Sequence, residues 1–230
     1  MNCKNCPAYS KSIFTTLSQD LITKLENEKS ILKIVNGNYI FKDNESADYI
    51  YCLMDSVCKV TQKKDGTDKE TVIRVAGPGD TVGHRSIFHR ETYLGNSRAL
   101  EDGHVCKISK KTIFELIELS PKLALVLLRK LSIDMSLSDN KAHTFHKFNV
   151  RERLADILLQ LSEEYGTNKQ DGKVQLKLRL NRKELASLVP ASTENVVRLL
   201  SDFKKDGIIK EIPDGELIID IEALKIIIKK

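Results

Sequence analysis

The stretch "PKLALVLLRKLSIDMSLSDNKAHTF", residues 121–145, contains no Gly and no second Pro, and its apolar and small residues recur with one helical period. Ala124, Leu128, Leu131, Met135, Ser138, Ala142 and Phe145 alternate steps of four and three, the spacing of a coiled-coil seam. Only a continuous helix of about seven turns keeps such a stripe on one side. Pro121 suits its first turn, where no backbone donor is needed. Any fold for this chain must therefore hang its other parts on a long helix. A single stripe with polar flanks predicts pairing with a second copy along Leu128, Leu131, Met135, Ala142 and Phe145. The competing expectation is that the stripe packs on the chain's own N-terminal half.

Before the helix the period is different. From about Ile31 to Ser109 come short alternating or apolar runs broken by turn residues: "KIVNGNYIF", "DYIYCLMDSVCKV", "TVIRVAGPGDTVG" and "SRALEDGHVCKIS". Strands at this spacing build a sandwich or barrel. Asp65-Gly66 predicts a hairpin, and "GPGD" at Gly77 to Asp80 a second turn.

After it, Val150, Leu154, Ile157, Leu158 and Leu161 line one face of a helix that Gly166 stops. "GTNKQDG" is expected as a polar loop, and "KVQLKLRL" as a half-buried strand, with Val174, Leu176, Leu178 and Leu180 alternating against polar residues. Asn181, with Glu184 three residues on, caps a short helix that Pro190 ends. "STENVVRLLSDF" supplies a second helix after a tight turn, and "GIIKEI" with "ELIIDI" around Pro213-Asp214-Gly215 supplies a two-stranded wing. Strand, two helices and wing make a winged helix-turn-helix. The expected class is α+β, with a β-rich domain and an N-terminal helical segment over 1–120, the long helix over 121–146 and the DNA-binding-type domain over 147–230.

Charge supports that placement. The formal net charge is +5, and the segment Lys173–Lys210 alone holds nine Lys or Arg against four acids. No run of about 18 apolar residues and no signal-like start appear, so the expectation is a cytoplasmic protein with no membrane partner. The five cysteines are an odd number in such a chain, which argues against a disulfide framework. Without a nucleophile–base pair, a phosphate loop or paired carboxylates, no enzyme is expected.

Glu194 and Arg198 stand four apart at the start of the second short helix. As an exposed ion pair they would contribute about 0.3 to 0.5 kcal/mol. As groups entering a major groove, Arg offers guanine a bidentate fork and Glu accepts from cytosine. Ser192, Thr193 and Asn195, short hydrogen-bonders around them, suit phosphates and favour the second expectation.

With these residues in view the chain resembles the CRP/FNR family of bacterial transcription regulators over essentially its whole length. "GDTVG" (79–83) resembles the turn before the family's effector-pocket helix, "RERLADILLQL" (151–161) the helix entering its DNA domain, and "STENVVRLL" (192–200) its recognition helix. The resemblance implies a jelly-roll, cyclic-nucleotide-binding-like β-roll, a long dimerisation helix and a winged helix-turn-helix. It also implies double-stranded DNA, a second copy of the chain and RNA polymerase as partners. It assigns base reading to Glu194 and Arg198 with Val197 at a variable specificity position, and phosphate contact to Asn181, Arg182, Lys183 and Ser192. Gly83, His84, Arg85, Tyr93 and Arg98 fall around the effector pocket. His84 stands where cyclic-AMP binders carry a ribose-binding Glu, and Tyr93 and Leu94 where they carry a phosphate-binding Arg-Ser pair. A phosphate would lack its charge partner there, so no cyclic-AMP response is expected. Arg85 and Arg98 serve another anion or are ordinary surface charges. Pro190 takes a turn position that is usually Gly, so the turn is expected to be built differently.

The family's oxygen-sensing branch binds an iron–sulfur cluster. By resemblance Cys3 and Cys6 match two N-terminal ligands and Cys106 the β-roll ligand, while Ser12 occupies the third N-terminal position. That leaves the set one thiolate short, unless the fold brings Cys52 or Cys58 near. The plainer expectation makes Cys52, Cys58 and Cys106 core residues. Haem ligation by His84 or His89 fits family chemistry, but a lone loop His is ordinarily solvated. The cofactor stays open, with cluster and haem not favoured.

Overall fold

The computed structural model describes residues 2–63, 70–212 and 215–229, and of residues 140–146 the backbone alone. The chain folds as two compact units, 1–136 and 137–230.

In the first unit, α1 (Gln19–Glu28) precedes β1 (Ser30–Ile34), β2 (Tyr39–Phe41), β3 (Tyr49–Leu53), β4 (Cys58–Lys63), β5 (Glu70–Ala76) and β6 (Thr81–Val82). The short α2 (His84–Ile87), β7 (Asn96–Ala99), β8 (Gly103–Ser109), α3 (Lys110–Leu119) and the start of α4 (Pro121–Lys147) follow. The strands make two antiparallel four-stranded sheets, β1-β8-β3-β6 and β2-β7-β4-β5, a jelly roll as the resemblance implies and within the sandwich or barrel class that the run spacing predicts. The Asp65-Gly66 turn lies outside the described residues, although β4 and β5 pair up to Lys63 opposite Glu70.

β3 is buried on both faces, which explains why "YIYCLM" is apolar throughout. Tyr51 and Leu53 enter the core between the sheets with Phe41, Val82, Tyr93 and Val105. Ile50, Cys52 and Met54 point the other way, into a second core closed by Ile22 and Leu25 of α1, Ile113 and Leu116 of α3, and Leu123 and Leu127 of α4. Gly79 turns the chain at φ +92°, and a Cβ there would lie 2.5 Å from Lys11 Cβ, so both conformation and space require glycine.

The buried stripe of α4 is not the seam. Leu123, Leu127 and Asp134 face the unit's interior, whereas Leu128 and Met135 are 60% and 66% exposed. Packing of the seam on the chain's own β-domain is therefore ruled out at those two positions. The side chains of Ala142 and Phe145 lie outside the described residues.

The second unit contains α5 (Val150–Tyr165), β9 (Gly166–Gln170), β10 (Lys173–Leu176), α6 (Arg182–Leu188), α7 (Thr193–Lys205), β11 (Ile209–Glu211), β12 (Leu217–Asp220) and α8 (Ile221–Ile228). Its sheet runs β11-β12-β10-β9. The wing turn residues Pro213 and Asp214 lie outside the described residues. Three local expectations change. "GTNKQDG" is an edge strand rather than a loop, because Asp171 and Gly172 at φ +49° and +73° make the turn that folds β9 onto β10. The β10 strand ends at Leu176, four residues before its alternation does. Gly166 stays extended at φ −76° and is required by space: a Cβ would meet Val174 Cγ1 at 2.1 Å and Ser162 O at 2.2 Å.

Candidate nucleic-acid interface

The α6 and α7 helices are fixed at their starts by side chains the sequence places there. Asn181 caps α6, its Oδ1 accepting from the Glu184 N–H while Glu184 Oε2 accepts from the Asn181 N–H. Asn181 is therefore engaged in the cap as well as lying where phosphate contact is expected. Ser192 Oγ accepts from the Asn195 N–H and caps α7.

Between them the turn is clamped by Arg153 of α5, whose guanidinium donates to Val189 O at 3.1 Å, Pro190 O at 3.3 Å and Phe148 O at 2.7 Å. Pro190 takes φ +27°, contrary to the expectation that its ring, which prefers roughly −65°, excludes a positive φ. Arg153 gave no signal in the sequence beyond a basic residue near a helix start.

One face of α7 buries Val196, Leu199, Leu200 and Phe203. The opposite face presents Glu194, Val197 and Arg198, all exposed. The surface ion pair is not formed: among the described residues no ion pair joins Glu194 to Arg198, and Arg198 Nη2 instead donates to Asn195 Oδ1 at 3.3 Å. Lys183 is exposed, Thr193 and Arg182 half-buried. Arg182 is engaged, its Nη2 standing 3.3 Å from both carboxylate oxygens of Glu211 on β11, and Lys204 Nζ reaches the same carboxylate.

In the first unit, of the five residues placed around an effector pocket, Gly83 precedes α2 at φ +84°, where a Cβ would meet Tyr93 Cε1 at 3.0 Å. His84, expected as a solvated loop residue, is buried with its Nε2 3.0 Å from Asp134 Oδ2, and Arg85 Nε lies 3.4 Å from the same oxygen. Tyr93 stacks on Phe41 at 4.1 Å and donates to Tyr49 O at 2.6 Å. Arg98 is spent on Gly37 O at 2.5 Å, over the Tyr39 ring.

The group that gathers charge is one the sequence reading missed, Asp134. Arg74 Nη1 lies 3.3 Å and Lys130 Nζ 3.8 Å from it, and both cations also hold Asp80, at 2.8 and 2.5 Å. Burial alone would raise the Asp134 pKa, but the His84 hydrogen bond and the charges of Arg74, His84 and Lys130 outweigh it and hold it at about 2. Burial pushes the His84 imidazole below its ordinary range, against the pull of Asp134. An acid on the apolar stripe of Leu123 and Leu127 was the available signal.

The thiols divide. Cys3, Cys52 and Cys106 share the second core with Cys6 packed against it, and Cys52 faces Cys106 across β3 and β8. The fold thus brings Cys52, and not Cys58, to the three cysteines named from sequence. Cys58 lies in the inter-sheet core, where burial pushes it up to about 12. Burial also raises Cys3, Cys52 and Cys106, the last to about 11, although Lys29 Nζ donates to Cys3 Sγ at 3.0 Å. Among the described residues no three His, Cys, Asp or Glu side chains are disposed to hold a metal ion. His104 on β8, two residues before Cys106, pairs with Asp55 at 3.0 Å.

Residues 31–120 match the cyclic nucleotide-binding domain family and residues 152–227 the Crp-like helix-turn-helix domain family. The chain is 25% identical over 204 residues to the anaerobic regulatory protein of Bacillus subtilis, covering 88% of this chain and 85% of that protein. It is 26% identical over 213 residues to the CRP-like cAMP-activated global transcriptional regulator of Mycobacterium tuberculosis, covering 92% and 94%. Among solved structures, FixK2 from Bradyrhizobium japonicum superposes with a TM-score of 0.74 at 15% identity, over 86% of this chain and 96% of that one, a likeness of fold.

Proposed function

The chain belongs to the CRP/FNR family of DNA-binding transcription regulators, and from that premise we propose that it acts in the cytoplasm as a homodimer on a pseudo-palindromic site. Glu194 and Arg198 read a G·C pair in each half-site, Val197 makes an apolar contact, and Lys183, Arg182, Ser192, Thr193, Asn181 and Asn195 meet the backbone. The observation that carries this reading is the face of α7: the exposed residues of its first two turns, Glu194, Val197 and Arg198, are those with base-reading chemistry or an apolar contact to offer, while its opposite face is core. Selection of preferred duplexes from a random pool tests it. A two-fold symmetric consensus is expected, and enrichment without symmetry overturns the dimeric reading. As a regulator it would also touch RNA polymerase, which a pull-down with the DNA-bound protein checks.

The effector is not cyclic AMP on this reading. His84 is closed onto Asp134, and Tyr93 spends its hydroxyl on Tyr49 O, so the ribose and phosphate of a cyclic nucleotide meet no free acid or guanidinium there. Cyclic AMP added at millimolar concentration should leave DNA affinity unchanged; a clear increase overturns this.

A second reading, a redox or metal-responsive regulator using Cys3, Cys6 and Cys106, is favoured by one observation: Cys52 joins those three thiols in a single core. Anaerobic purification with iron and zinc assay decides it. Metal-free protein whose specific DNA affinity is indifferent to oxygen and reductant removes the idea.

A further inference from the structure

Glu211 is the carboxylate on which two cations of the DNA-binding unit converge. Arg182, the first residue of α6, places Nη2 at 3.3 Å from each of its oxygens, and Lys204, near the end of α7, reaches one of them. The acid sits at the end of β11 in the wing, so it ties both helices of the helix-turn-helix to the wing strand. Two neighbouring acids of the unit are occupied elsewhere: Glu184 in the α6 cap, Asp206 on Arg151 at 2.7 Å. The three side chains are each a little over one-third exposed, so the pairs are wet, weak and open to exchange.

We propose that Glu211 attenuates DNA binding by occupying, as an internal anion, cations that would otherwise bind phosphates. The inference rests on the DNA-binding reading above, in which Arg182 is a backbone contact. Non-specific affinity comes from phosphate neutralisation by free Lys and Arg, whereas specific affinity adds base contacts. A carboxylate that must be exchanged for a phosphate lowers both. Because the same cation must leave the same carboxylate in either mode, both affinities fall by a similar factor.

The test compares the full-length wild type with Glu211→Gln by fluorescence anisotropy on the selected duplex and on a random duplex of equal length, between about 50 and about 200 mM salt. The variant should bind random DNA about 3- to 10-fold tighter, with a log–log salt slope steeper by about one. The selected site should gain by a similar factor, so that the ratio of specific to non-specific affinity stays near its wild-type value. The double variant Arg182→Gln/Glu211→Gln should return the slope to the wild-type value, which identifies Arg182 as the freed group. Unchanged affinity and slope on both duplexes overturn the role of Glu211. So does weaker binding on both, which would make Glu211 a support for Arg182. A wild type that does not distinguish the two duplexes overturns the base-reading proposal instead.

Discussion

Arg198 is held by a neutral neighbour, and that decides what it offers DNA. A carboxylate partner would have to be displaced before the guanidinium met a guanine, whereas the Asn195 amide 3.3 Å away aims the side chain and leaves its charge uncompensated. Arg198→Ala should therefore cost about 1 to 3 kcal/mol on the selected site and flatten discrimination at one base pair, measured by competition with single-base variants. An equal loss on random DNA would assign Arg198 to the backbone. The i, i+4 spacing made the shared face of Glu194 and Arg198 legible in the sequence; which neighbour Arg198 would choose was not, because Asn195 competes from one turn lower at no cost in pattern. Pro190 shows the same limit more sharply. Its ring forbids the left-handed region as a rule, yet Arg153 clamps the turn there through two consecutive carbonyls.

Within α4 one buried acid organises the stripe. Asp134 faces Arg74, His84, Arg85 and Lys130, and Asp80 completes the balance of charge. Removing it leaves desolvated cations unpaired, so Asp134→Asn should destabilise the protein by about 3 kcal/mol in denaturant titration. The pH dependence has two stages with the same sign. The folded state keeps His84 neutral below its ordinary 6.5, so stability is full above that value and falls as the pH drops beneath it and the unfolded chain takes up the proton. Asp134, held at about 2 against an ordinary 3.8, contributes about 2 kcal/mol above 3.8 that is lost as the pH falls towards 2. His84→Gln should flatten the upper stage and shrink the lower one, because the His84 hydrogen bond is the foremost contact holding the Asp134 carboxyl down. Elsewhere the elements with strong periods were legible: the strand-rich half, α5, and the two short helices around Pro190. β9 was not, because every residue from Thr167 to Gln170 is exposed and an edge strand needs no apolar alternation. α8 was hidden by "IIDIEALKIII", apolar enough to continue a strand, although Asp220 caps it by accepting from the Ala223 N–H.

At the scale of the whole molecule the exposed seam is the feature the chain alone leaves unexplained. Leu125, Leu128 and Met135 are each at least 60% exposed on one helix, beside a stripe already satisfied by the protein's own core. Apolar groups so arranged are tolerated singly, but in a row they mark an interface. A second copy laid along the same seam satisfies both helices by one two-fold axis, and that axis is what a pseudo-palindromic site requires. The two properties are then one prediction with two readouts. Leu128→Glu/Met135→Glu should sediment as a monomer while keeping the unfolding midpoint of the first unit, since neither side chain contributes to its core. The same variant should lose the selected site almost entirely but retain the weak, salt-sensitive binding that a single basic unit gives to any duplex. In the wild type, protection from hydroxyl radicals should appear in two patches about 34 to 36 Å apart, one helical turn, each centred on the G·C pair assigned to Arg198. Monomeric protein with full specific affinity would separate recognition from dimerisation and assign the seam to some other partner.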